Sequence, residues 1–269
     1  MKKIIVSTFI ILSLFSWAVQ ASLLISPTRI AFDERDRVQR VTLINTSSEE
    51  KTYRLEWTEQ RVKQNGAYEK LSPEQAENYP LASKYIRFSP RQVTLQPGQR
   101  QTIKLLARRV KDMPENEFRS HLRFTALPNR KKENSPFSGV AMQLDLLMSY
   151  AIPVVLRSGK LSVSTQIERL ELKTSADSPD KAEILVNMSR TGKKSTTGKL
   201  VAFYKAQNSE QETQVGILNG FNFFQDTQTI TKRIIWLNYT RPGPGSLRIV
   251  LLGEKEFSGQ VLAEKIVSI

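Results

Sequence analysis

The inventory of reactive side chains is short. Histidine occurs once, as His121, and cysteine not at all. No thiolate metal site, disulfide or thiol nucleophile is therefore possible, and a histidine-based metal cluster or catalytic dyad has no second histidine to draw on. His121 lies inside a β-rich run, Phe118 to Leu127, where a lone histidine reads as structural. Carboxylates pair at Glu168 and Glu171 and at Glu254 and Glu256, but among polar strand and turn residues, without the apolar setting that would raise a carboxyl pKa. No glycine loop has phosphate-cradling spacing. The side chains argue against an enzyme and imply no cofactor and no metal. Binding is the chemistry left to look for.

The strongest binding pattern is an alternation. From Val140 to Met148 the even positions, Val140, Met142, Leu144, Leu146 and Met148, are all large and apolar, while the odd positions are mainly small or polar. In a strand successive side chains go to opposite faces, so these five form one apolar row. On periodicity alone the row lines a core. At a sheet edge it would instead be an apolar stripe beside unpaired backbone groups, a template for another chain's strand.

The elements that must position this row are all-β. Short β-rich runs begin at Leu24, and helical periodicity is nowhere sustained for three turns. Strands are predicted at Thr28–Phe32, Val38–Asn45, Thr52–Val62, Ile86–Leu95, Gln101–Arg108 and Phe118–Leu127, with turns at Gln64-Asn65-Gly66 and Gln96-Pro97-Gly98. Pro73 to Pro80 reads as a surface excursion with a helical turn at Glu74–Glu77. After a basic loop at Asn129–Gly139, one long strand should run from Val140 to Leu156. Arg157 to Lys160 reads as a hinge, and a second series of seven strands follows from Leu161 to Ile269. The expected organisation is a first β-sandwich over 22–156, a hinge at 157–160 and a second sandwich over 161–269.

Residues 1–21 have the order of an export signal: a charged start at Lys2 and Lys3, an apolar run from Ile4 to Val19, and Val19-Gln20-Ala21 as a cleavage site. No later stretch approaches the ~20 apolar residues that cross a bilayer, so no stable membrane insertion is expected. Formal net charge is +14, or +12 once Lys2 and Lys3 are subtracted. Such a surplus suits nucleic acid, an anionic membrane surface or acidic partners. Export argues against nucleic acid, and the basic residues look scattered along the chain, densest at Arg130-Lys131-Lys132 in the loop.

Several ordered motifs resemble the periplasmic pilus chaperones, the PapD-like family, over nearly the whole chain after residue 21. They are SPTRIAF (Ser26–Phe32), VTLINTSSEEKTYRLEW (Val41–Trp57), FSPRQVTLQPGQRQTIKL (Phe88–Leu105), FRSHLRFTALP (Phe118–Pro128), LMSYAIPVV (Leu147–Val155) and SRTGKKSTTGKLVAFY (Ser189–Tyr204). The resemblance implies two immunoglobulin-like sandwiches in a boomerang, a periplasmic location, and pilus or fimbrial subunits and an outer-membrane usher as partners. It also implies that the even row, Val140 to Met148, is the strand lent to an incomplete subunit. Arg29 matches the family's cleft arginine, which takes the subunit's terminal carboxylate, and Arg157 matches an arginine that sets the angle between the domains through carboxylates. The family's cleft lysine is missing, because Pro153 occupies its place; Tyr150-Ala151-Ile152-Pro153 is similar to the archaic branch in this respect. Lys104 and Arg108 are further candidates for the carboxylate.

The competing reading is a secreted immunoglobulin-like adhesion or structural module. For it, Asn45-Thr46-Ser47, Asn187-Met188-Ser189 and Asn238-Tyr239-Thr240 would be glycosylation acceptors. The cysteine–tryptophan–cysteine framework of true immunoglobulin domains is absent.

Overall fold

A computed structural model describes residues 22–128, 147–175 and 178–269. The expected signal segment and four members of the apolar row, Val140, Met142, Leu144 and Leu146, lie outside the described residues.

The first sandwich packs two sheets. One orders β1 (Leu23–Ser26), β3 (Val38–Asn45), β9 (Arg100–Ala107) and β7 (Ile86–Ser89); the other orders β2 (Ile30–Phe32), β11 (Ser149–Ser158), β10 (Asn116–Ala126), β4 (Lys51–Thr58) and β8 (Gln92–Leu95). Strict alternation turns Val41, Leu43, Ile103 and Leu105 inward from the first sheet, to meet Phe32, Leu55, Leu122, Phe124, Val154 and Leu156 from the second. The core therefore lies between the two sheets.

The predicted single strand Ile86–Leu95 is in fact two. β7 pairs with β9 in one sheet and β8 pairs with β4 in the other, with Pro90 at the crossing point. Pro27 stands likewise between β1 and β2. Proline has no N–H to donate, so a ladder stops there and the chain can change sheets. Thr52–Val62 also divides, into β4 and β5 (Gln60–Val62). β5 forms a hairpin with β6 (Tyr68–Lys70) through the expected turn, where Gly66 takes a φ of +80°. The excursion that follows contains α1 (Pro73–Glu77), started by a capping box between Ser72 and Gln75 with Pro73 in the first turn.

The second sandwich orders β12 (Val163–Ser175), β13 (Ser178–Gly192) and β16 (Thr229–Trp236) in one sheet. The other holds β15 (Thr213–Phe223), β14 (Thr196–Ala206), β17 (Gly245–Gly253) and β18 (Val261–Ser268). Ile184, Val186, Met188 and Ile234 face Leu200, Phe223, Ile249 and Leu251 across its core. Two residues of the first half also pack into this second core: Val62 from the hairpin and Val155 from β11. β11 thus buries Val154 and Leu156 in one core and Val155 in the other, so Val154 to Leu156 is apolar on both faces. No helix among the described residues is long and apolar enough to cross a membrane.

Candidate functional site

The described end of the apolar row leads directly into β11. Along β11, Ile152, Val154 and Leu156 lie in the first core and Tyr150 packs against it; Met148, two residues earlier, is 50% exposed, as is its neighbour Leu147 at 51%. The core has ended by that point.

The two edges of β11 differ. On one side it pairs with β10 along its whole length, from Ser149↔Thr125 to Ser158↔Asn116. On the other, β2 pairs in parallel with Val154, Val155 and Leu156 only. From Ser149 to Pro153 that second edge has no strand partner among the described residues. Ala126 donates its N–H to the Met148 carbonyl, so the hydrogen-bonding positions toward β10 are Met148, Tyr150 and Ile152, and the alternate residues Ser149, Ala151 and Pro153 turn their backbone groups to the open side. Pro153 is tolerated in the strand because its position faces away from β10, toward the edge that has no strand partner among the described residues.

Where the sandwiches meet, a cluster of charged side chains is buried. Arg157, 3% exposed and near the end of β11, donates from Nε to Glu117 Oε2 (3.0 Å), from Nη1 to Asp33 Oδ1 (2.9 Å) and from Nη2 to Glu256 Oε1 (2.6 Å). Glu117 belongs to β10; Glu256 belongs to the second sandwich, in a short 3₁₀ turn between β17 and β18. Arg29, in the sheet crossing before β2, reaches the same carboxylate at 3.3 Å and donates to Ser195 Oγ and Asn222 Oδ1 at 2.8 Å each. Ser195 in turn donates its backbone N–H to Glu117 Oε2 (3.1 Å). Burial would raise the Glu256 carboxyl, but Arg29 and Arg157 together hold it below the usual range. For Arg157 burial opposes the charge, yet Glu117, Glu256 and Asp33 raise its pKa above the usual value; burial wins at Arg29, whose pKa is lowered.

A second cluster surrounds Phe224, which the loop after β15 inserts at the boundary and which is 2% exposed. The Arg119 guanidinium lies 4.0 Å from its ring centre and donates to Asp226 Oδ2 (2.6 Å) and to the Gln60 carbonyl (2.8 Å). Asp226 also accepts from the Val62 backbone N–H (2.7 Å) and from the Tyr79 hydroxyl. Hairpin, excursion and β10 therefore converge on one carboxylate of the second sandwich. His121 sits beside them, edge-on to Tyr68 and Phe224, with neither ring nitrogen hydrogen-bonded. Burial first, then Arg119 and Arg29, push its pKa down to about 3.

Of the residues singled out in the sequence, Arg29 and Arg157 are brought together through Glu256, and Met148 stands apart from them at the start of β11. Lys104 points outward from the opposite sheet and Arg108 follows it, so neither joins Arg29. Sequence reading missed Glu117, Ser195, Asn222, Glu256, Arg119 and Asp226. In the sequence Glu256 groups with Glu254, whereas its partners in the structure are Arg29 and Arg157. A weak signal existed for the Phe224–Asp226 insertion: two adjacent phenylalanines, Phe223 and Phe224, run into an acidic turn where alternation would bury only one.

No family model matches the sequence, and no curated protein matches it. Among solved structures the chain is similar to the YadV chaperone, at 12% identity and a TM-score of 0.46, over 93% of this chain and 100% of that one. It is similar to the class 5 fimbriae chaperone CfaA at 15% identity and 0.46, over 91% and 98%. It is also similar, at 12% identity and 0.44 over 93% and 98%, to a chain of the CsuC–CsuE chaperone–tip adhesion subunit pre-assembly complex from archaic chaperone-usher Csu pili of Acinetobacter baumannii.

Two outcomes are expected of this boundary. Glu256→Gln leaves two buried guanidiniums short of a counter-charge and should cost about 3 kcal/mol of stability in urea unfolding; a change within about 0.5 kcal/mol would show that the cluster contributes little. His121 binds a proton less readily folded than unfolded, so its contribution is intact above pH 6.5 and declines as pH falls toward 3, by up to about 4–5 kcal/mol. His121→Gln should flatten the stability profile across that window relative to the parent; parallel profiles would refute the assignment.

Proposed function

We propose that this chain is a periplasmic chaperone of the PapD-like family that stabilises pilus or fimbrial subunits by donor-strand complementation and delivers them to an outer-membrane usher. The observation that carries the reading is the open edge of β11 from Ser149 to Pro153, which the apolar row enters from upstream. A strand that has lost its second neighbour and then leaves the core offers what β-augmentation needs: unpaired backbone groups and a stripe of alternate apolar side chains. The half-exposed Met148 supports continuing that arrangement back through Leu146, Leu144, Met142 and Val140. Each such side chain entering a subunit groove would contribute roughly 1.5–3 kcal/mol of transfer free energy, less the costs of ordering and association.

On this reading residues 1–21 export the chain, 22–156 form the subunit-binding domain, 157–160 the hinge, and 161–269 the second domain. Arg157 sets the angle between them. Arg29 is the proposed anchor for the subunit's terminal carboxylate. Its 3.3 Å contact is the longer of the two that Glu256 makes with arginines, so an incoming carboxylate would take the place of Glu256 at Arg29 while Arg157 retains it. An arginine fork binds a carboxylate through paired hydrogen bonds without the lysine that Pro153 replaces.

Leu146→Arg, expressed in the periplasm with the cognate subunits, should reduce recovery of the soluble chaperone–subunit complex at least about tenfold, because a charge is excluded from an apolar groove. Undiminished complex with a folded variant would sink the donor-strand assignment. Arg29→Ala should weaken capture of intact subunits more than of subunits with an amidated C-terminus. Equal losses on both would remove the anchor role and leave Arg29 as an interdomain tie.

A further inference from the structure

The basic surplus has a destination that chain order conceals. On the four-stranded sheet of the first sandwich, alternation turns Arg40, Thr42 and Ile44 of β3 outward, together with Arg100, Thr102, Lys104 and Leu106 of β9. Arg87 and Ser89 of β7 and Leu24 and Ser26 of β1 complete the face. Register sets Arg40 opposite Lys104, Ile44 opposite Arg100 and Arg87 opposite Leu106, and Arg108 follows past the end of β9. None of these outward residues is acidic. Among the described residues Arg40, Arg100 and Lys104 make no ion pair, and Arg87 donates only to the Ser83 carbonyl, at 3.1 Å. Like charges directly opposite one another destabilise a strand pair. The Arg40–Lys104 pairing is a cost to the fold that the fold does not explain.

We propose that this face docks the protein peripherally on an anionic phospholipid bilayer. Three features favour lipid over an acidic protein. The surface is one side of a sheet, suited to a plane of many movable phosphates; arginine predominates, and its planar fork matches phosphate oxygens; and half-exposed aliphatics, Leu24 at 51% and Leu106 at 49%, stand among the cations, as the boundary between headgroups and acyl chains requires. Several Lys or Arg side chains near an anionic leaflet add their attractions, which decay within a Debye length. The face belongs to the sheet opposite β11, so docking leaves the open edge clear and does not depend on the subunit-binding reading.

The test is flotation with vesicles in low-salt buffer. The parent protein should float with vesicles of phosphatidylglycerol mixed into phosphatidylcholine, and remain free with phosphatidylcholine alone. The triple variant R40E/R100E/K104E should lower the bound fraction about tenfold or more. The control K160E/R169E/K181E, with the same change of net charge at exposed sites of the hinge and the other half, should change it less than about twofold; circular dichroism and thermal unfolding establish that both variants fold. Failure of the parent to bind anionic vesicles would overturn the proposal. So would equal losses in the two triple variants, which would mean that overall charge suffices, or a tighter association with polyglutamate than with vesicles, which would assign the face to an acidic protein.

Discussion

The arrangement of the two sandwiches turns on the carboxylate of Glu256, shared by two arginines that reach it from the other sandwich. Arg157 approaches at 2.6 Å and Arg29 at 3.3 Å, and Glu117 and Asp33 complete the charge balance around Arg157. A buried ion pair is poor evidence of net stability, because desolvating the charges offsets their attraction. Its directional value is another matter. A guanidinium whose three nitrogens each have an acceptor tolerates one orientation of its partners, and here one of those partners is on the second sandwich. The Phe224 insertion acts on the same boundary: Arg119 lies over the ring and also holds Asp226, so apolar and ionic contacts restrict the same movement.

The open edge of β11 depends on that boundary. The last residues of β11 are fixed between two cores through Val155 on one side and Val154 and Leu156 on the other. β2, held beside Arg29, covers the strand only that far. The strand is therefore paired on both edges where β2 covers it and, among the described residues, paired on one edge only from Ser149 to Pro153. Binding of an additional strand at such an edge requires little reorganisation of the sheet that receives it.

Much of the fold was legible because it rests on local chemistry. β-rich runs between turn residues located β3, β9 and β10, and Gly66 and Gly98 marked turns where the chain takes positive φ. The division of Ile86–Leu95 was not legible, since Pro90 can end a strand, bend it, or sit at its edge, and only the partners distinguish these. Arg29 and Arg157 could be singled out by their resemblance to a family pattern, but their partners could not. Glu117 lies 40 positions from Arg157 and Glu256 lies 99, and nothing in the local sequence distinguishes either from a solvated glutamate. The basic face was missed for a related reason: charge was counted along the chain, whereas Arg40 and Lys104 become neighbours only through the register of β3 with β9.

Pro153 gives the open edge a polarity of its own. If two copies of the protein met through this edge in antiparallel fashion, centred on Ala151, each Pro153 would face a Ser149 and leave that side of the ladder one donor short, twice over. A foreign strand that ends before Pro153 meets no such gap. One residue without an N–H therefore makes the edge a worse match for a second copy of itself than for a shorter strand.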